Sequence, residues 1–141
     1  VKVFFLGWTR FVVVLLVLQI GFAGWGAVTS GDERVMRFIV HAGNGGMLML
    51  WLMLSVVFAL IARPGYKAVL LCVLSLFMIF MQGALAYGFG TEGVRGGIGI
   101  ALHATNGLGI LTVQLVVARL AKRAVEARRA QRAAQRNEVM A

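Results

Sequence analysis

From Phe38 to Ala62 the chain carries no Asp, Glu, Lys or Arg. An α-helix rises about 1.5 Å per residue, so roughly 20 residues cross the ~30 Å hydrocarbon layer of a bilayer. In water a run of this kind would have to be covered on every side; in lipid it needs no cover, provided its backbone is helical. Three further runs share the character: about Phe11 to Val28, Ala68 to Phe89 and Gly97 to Ala118. Phe4 to Trp8 are expected at the interface ahead of the first. Arg63-Pro64-Gly65, between the second and third, is a helix-stopping turn. The composition agrees, with 60% hydrophobic and only 13% charged residues, where a soluble domain carries about 25% charged. The expected fold is all-α: an integral membrane four-helix bundle in one domain, residues 1–120, followed by a basic tail, 121–141.

The net charge of +9 raises nucleic acid as a partner, but its distribution argues against it. Arg119, Lys122, Arg123, Arg128, Arg129, Arg132 and Arg136 all lie at or beyond the end of the fourth run. With Lys2, Arg10, Arg63 and Lys67 they load one face of the bundle. The other face carries Arg34, Arg37 and Arg95, balanced by Asp32, Glu33 and Glu92. The positive-inside rule then places both termini in the cytoplasm. The tail is rich in Ala, Arg, Gln and Glu, which favour helix, so the fourth helix can extend beyond the bilayer toward anionic headgroups; docking to a partner subunit is the alternative. The single cysteine, Cys72, excludes an intrachain disulfide and reads as a small hydrophobe. The first apolar run is too long, and too well matched to a later one, for a cleaved signal segment.

That match is an internal repeat. At a shift of 62, Gly21 meets Gly83, Trp25 meets Tyr87, Gly26 meets Gly88, His41 meets His103, Asn44 meets Asn106 and Gly45 meets Gly107. At a shift of 63, Gln19 meets Gln82 and Ala23 meets Ala86, implying a one-residue difference near the helix-to-loop join. The chain is therefore two tandem two-helix units of equal topology, expected to meet about an axis along the membrane normal. The clearest repeated string is His-x-x-Asn-Gly, HAGNG at 41–45 and HATNG at 103–107, and it holds the only two histidines. Both fall early in their helices, in the expected outer half of the bilayer.

An ionisable side chain within a span is costly and normally faces a partner inside the bundle. Matched depth makes each histidine the natural partner of the other, and opposed imidazoles on facing helices are a haem-ligating arrangement. His41 and His103 are thus the candidate metal ligands. The cofactor would be haem b, held non-covalently, since there is no Cys-x-x-Cys-His. A zinc or copper site is disfavoured, because no Cys, Asp or Glu lies at that depth to complete it. A hydrogen-bonded packing pair without cofactor is the plain alternative. Gly96, Gly99, His103 and Gly107 form a stripe on one helix face, and Gly45 follows His41 by one turn. These glycines suit either a flat macrocycle against the backbone or close helix packing. Asn44 and Asn106 suit either an interhelical hydrogen bond or a group that orients the imidazole, and Gln19 and Gln82 invite the same two readings. Arg37, one turn before His41, is the candidate partner for a haem propionate; Arg34 and Arg95 are nearby.

Gln19-Ile20-Gly21-Phe22-Ala23-Gly24 and Gln82-Gly83-Ala84-Leu85-Ala86, each followed by an outer loop and a histidine helix, resemble one four-helix half of haem A synthase. The chain also resembles a group of small four-helix bacterial membrane proteins with paired histidine helices. The resemblance spans residues 11–118 and implies that His41 and His103 are axial haem ligands in a bacterial plasma membrane. It departs where the synthase's catalytic half has Glu-x-x-His-Arg: here Phe38, Ile39 and Val40 precede His41 and Ala42 follows it. With that carboxylate and the second four-helix half missing, the cofactor site carries over and the reaction does not. The expected function is a b-type haem protein for electron transfer or haem carriage, working with a quinone or a partner membrane subunit; catalytic activity of its own is left open, with a haem-modifying enzyme as the third reading. The alternative is a small accessory subunit of a larger membrane complex, with no cofactor.

Overall fold

The computed structural model describes residues 1–89 and 93–140, without the side chains of Asp32 and Arg34. The charge balance expected from Asp32, Arg34 and Glu92 lies outside the described residues. Four helices account for the fold: α1 (Lys2–Ala27), α2 (Asp32–Ala62), α3 (Tyr66–Tyr87) and α4 (Gly93–Met140). All four are long and apolar enough to cross a membrane, and the protein is a multi-pass helical bundle. Each apolar run forms one helix because, in lipid, backbone N–H and C=O groups find partners only within their own segment.

The helices outrun the apolar blocks. α1 already includes Phe4 to Trp8, and α2 begins at Asp32, ahead of the charge-free stretch. α4 has 48 residues, a length of about 72 Å. It continues without a break through the boundary expected near residue 120, and from Glu126 to Met140 every residue is exposed. Span and basic tail are one helix.

Neighbouring helices pack in the order α1–α2, α2–α3, α3–α4 and α4–α1, which leaves α2 and α4 on one diagonal and α1 and α3 on the other. The packed core fills only part of this bundle. Near the end that carries both termini, Phe5, Ala59, Ala62, Cys72, Val117 and Ala121 form one buried cluster. Further in, Val12, Leu16, Leu48, Leu52 and Ile110 form a second. Cys72, fully buried in the first cluster, packs as the small hydrophobe its setting suggested. Toward the two inter-helix loops the core stops. Past Leu16, Leu48, Ser75 and Ile110, only Gly26, Gly96 and Gly99 are buried among the described residues. The loop-side half of the bundle therefore has no apolar plug, and the repeated histidines lie in that half.

The turn between α2 and α3 is tight. Arg63 adopts the left-handed conformation (φ 49°) as the C-cap of α2, its N–H donating to the Ala59 carbonyl at 3.0 Å, and Pro64 then prevents the helix from resuming. A Cβ is unfavourable in this conformation. Arg63→Gly is accordingly expected to stabilise the bundle by about 0.5–1 kcal/mol, read as a rise in the unfolding midpoint of the detergent-solubilised protein.

Candidate functional site

The site is built twice, once in each unit. His41 of α2 turns toward α1, with its Nδ1 3.2 Å from the Gln19 carbonyl oxygen. His103 of α4 turns toward α3, with its Nδ1 3.1 Å from the Gln82 carbonyl oxygen. A carbonyl only accepts, so each Nδ1 carries the proton and donates it. Each Nε2 is left unprotonated, with a lone pair able to accept, the tautomer a metal-binding imidazole needs.

Three residues on, the asparagines repeat the same arrangement. Asn44 Nδ2 donates to Gln19 Oε1 at 2.7 Å and to the Leu15 carbonyl at 3.3 Å. Asn106 Nδ2 donates to Gln82 Oε1 at 3.1 Å and to the Met78 carbonyl at 2.8 Å. Each unit thus closes a Gln–His–Asn network between its two helices, and the network reproduces the offsets seen in the chain. The histidine follows its glutamine by 22 residues in the first unit and by 21 in the second. That is the one-residue difference between the repeats. Gln19 adds two contacts of its own: its Nε2 donates to the His41 carbonyl at 2.9 Å and lies 3.3 Å from His41 Nε2.

Across the bundle the two networks face each other. The His41 and His103 rings, on the diagonal helices, have centroids 6.0 Å apart and planes inclined at 60°. Phe38 closes one side of His41, edge-on at 6.2 Å. All six network residues, Gln19, His41, Asn44, Gln82, His103 and Asn106, are half-buried, in keeping with their place where the apolar core has ended.

The candidate glycines lie against the neighbouring helices. A Cβ on Gly45 would stand 3.1 Å from Gln19 Nε2, and one on Gly107 would stand 3.2 Å from Gln82 Nε2. Glycine at these positions lets each glutamine lie flat against the opposite helix. Gly99 is pressed harder, since its Cβ would come within 2.8 Å of the Leu85 carbonyl oxygen on α3. The stripe on α4 therefore runs along the α3 seam, with His103 at its middle. Arg37 folds back over its own loop: it donates to Thr29 Oγ1 at 2.9 Å, pairs with Glu33 at 2.8 Å, and lies 4.8 Å over the Trp25 ring. Arg95 is exposed. Among the described residues no group of three or more His, Cys, Asp or Glu gathers as a metal site.

The structure makes more of Gln19 and Gln82 than their candidate status did. They are the hub of each network, giving the carbonyl that orients the histidine and the amide that receives the asparagine. Their shared shift of 63 was the available signal. The carbonyls of Leu15 and Met78 carried none, because a backbone acceptor is chemically the same at every residue.

The chain matches no family model, no curated protein and no solved structure.

Two neighbouring glycines of α4 give a test of the packing. Gly99→Ala must push its methyl against backbone and is expected to destabilise the bundle by about 1–3 kcal/mol. Gly97, with open space around its position, accepts alanine with no loss, or with a gain of up to about 1 kcal/mol from helix propensity. Unfolding titrations of the two variants in one detergent compare them directly; equal losses would contradict the packing described.

Proposed function

We propose that this protein holds one non-covalent haem b between α2 and α4, with His41 and His103 as axial ligands, and serves electron transfer or haem carriage. One observation carries the reading. Two imidazoles, each pinned through Nδ1 to a neighbouring backbone carbonyl, meet across the bundle where apolar packing ends. Metal–imidazole bonds of about 2 Å, plus about 1 Å from each nitrogen to its ring centre, put the two ring centroids of a bis-imidazole site roughly 6 Å apart. The observed centroid separation of 6.0 Å matches that distance, and ligation would require His41 Nε2 to leave Gln19 Nε2, 3.3 Å away. The donor set fits the group as well, since neutral nitrogen ligands with their far nitrogens hydrogen-bonded are the usual haem and metal imidazoles.

In this reading Gln19 and Gln82 hold the imidazoles at the correct rotation, and Asn44 and Asn106 hold the glutamines. Gly45, Gly99 and Gly107 bring the helices close enough for that hold. Arg37 would have to turn from Glu33 to pair with a haem propionate. A bound haem would supply a one-electron couple, and with both axial positions filled it would not activate small ligands. Neither network contains a carboxylate, which agrees with a carrier and not with an enzyme that oxidises its cofactor. The basic residues at the end with both termini favour a cytoplasmic position for that end, in a bacterial plasma membrane, with the histidines in the outer half. A haem near one face needs a donor or acceptor in the membrane, a quinone or a partner subunit.

One contact favours the second reading, a cofactor-free accessory subunit. Gln19 Nε2 lies 3.3 Å from the lone-pair nitrogen of His41, so the network satisfies that imidazole by itself. Absorption spectra separate the two. Protein purified in mild detergent from haem-replete cells is expected to show a Soret band and, after dithionite, a sharp α-band, with the spectrum lost in both His41→Ala and His103→Ala. A colourless protein overturns the haem reading and leaves the accessory subunit.

A further inference from the structure

Each of the four helices places one fully buried polar residue between the two apolar clusters. Thr9 lies between Phe5 and Val12 on α1, and Ser55 between Leu52 and Ala59 on α2. Ser75 follows Cys72 on α3, and Gln114 lies between Ile110 and Val117 on α4. All four are 0% exposed. Two of them are satisfied locally: Thr9 donates to the Leu6 carbonyl at 3.0 Å, while Ser55 donates to the Trp51 carbonyl and accepts from Trp8 Nε1, both at 2.9 Å. The other two are not. Ser75 Oγ, Gln114 Nε2 and Gln114 Oε1 have no hydrogen-bond partner among the described residues.

These atoms share one layer. The antiparallel register that sets Asn106 beside Met78 and Gly99 beside Leu85 brings the Gln114 backbone level with about Leu70, and the Ser75 backbone level with about Gly109. The two backbones are thus about five residues, ~7.5 Å, apart along the α3–α4 seam, and because helical side chains lean toward the N-terminus of their own helix, these two lean toward each other across that interval. The surrounding layer residues are short: Thr9, Ser55 and Cys72. A buried polar atom without a partner is costly in an apolar interior, and three in one layer point to a ligand. That ligand must donate to Gln114 Oε1, accept from Gln114 Nε2 and bond a hydroxyl. It must also be small and neutral, because the layer holds no charged side chain.

We infer that Gln114 and Ser75 form an internal water site between the two apolar clusters, with bound water bridging the Gln114 amide and the Ser75 hydroxyl. Buried waters typically make two to four such bonds. The site is independent of the haem reading: it stands eleven residues past His103 on α4, about 16 Å along the helix.

The test uses the full chain, 15N-labelled, in detergent micelles. Magnetisation transfer from water is expected to reach the Gln114 side-chain amide protons, assigned by their loss in Gln114→Leu. Absence of transfer to that amide overturns the proposal. A double-mutant cycle gives a second measurement. With a shared water, the change in unfolding midpoint for Gln114→Leu with Ser75→Ala differs from the sum of the single changes, whereas strict additivity means that no water is shared. If Gln114→Leu does not fold, the amide is assigned by labelling glutamine alone, and the transfer measurement on the unaltered protein decides.

Discussion

Polar groups inside an apolar medium have to be satisfied by one another, and the architecture of this protein follows from that requirement. It makes each apolar run a helix, because only the helical backbone closes its own hydrogen bonds. It also sets how the helices meet. Six polar side chains in the loop-side half pair as two Gln–His–Asn networks, and each network ties one helix to its neighbour at a single register. Sliding either helix by one residue would separate the histidine from the carbonyl that receives its proton. In a bilayer, where apolar surface is indifferent to which apolar surface it meets, such bonds and close small-residue contacts choose one packing among many.

The bundle divides along its length into a base and a loop-side half. The base is filled by two buried apolar clusters. The loop-side half has no apolar plug among the described residues, is lined by the paired networks, and brings two imidazoles together across the diagonal. A functional site held by second-layer hydrogen bonds on rigid elements is well preorganised. The diagonal placement matters as well. Adjacent helices pack against each other and leave little between them, whereas α2 and α4 are held apart by α1 and α3, so the space between their histidines is set by the whole bundle.

The two units agree closely only at that level. In the base they diverge. Trp8, Trp51 and Phe58 form an aromatic group on α1 and α2, with ring centroids 4.7 and 5.5 Å from Trp8, and the corresponding positions of the second unit hold Leu71, Val113 and Leu120. Gln114 corresponds to Leu52 and Ser75 to Val12. Packing tolerates such exchanges so long as volume is filled. The hydrogen-bonded networks are stricter, because an asparagine that loses its glutamine leaves a polar atom stranded.

Four helices, their order and the pairing of His41 with His103 were legible in the chain, because span length, charge distribution and a repeated string each act through local chemistry. The unbroken course of α4 was only partly legible, since helix propensity beyond Lys122 permits a helix without requiring one. Other features needed the tertiary structure. Gly45 and Gly107 suited a macrocycle or a packing seam equally well until the opposed glutamines showed what lies against them. Arg37 turns to Thr29, Glu33 and Trp25, a choice that depends on how the loop folds. The buried layer of Thr9, Ser55, Ser75 and Gln114 draws one residue from each helix and has no periodicity to betray it. Sequence spacing decides which residues share a helix face; which faces meet, and at what register, is decided only when all four helices pack at once.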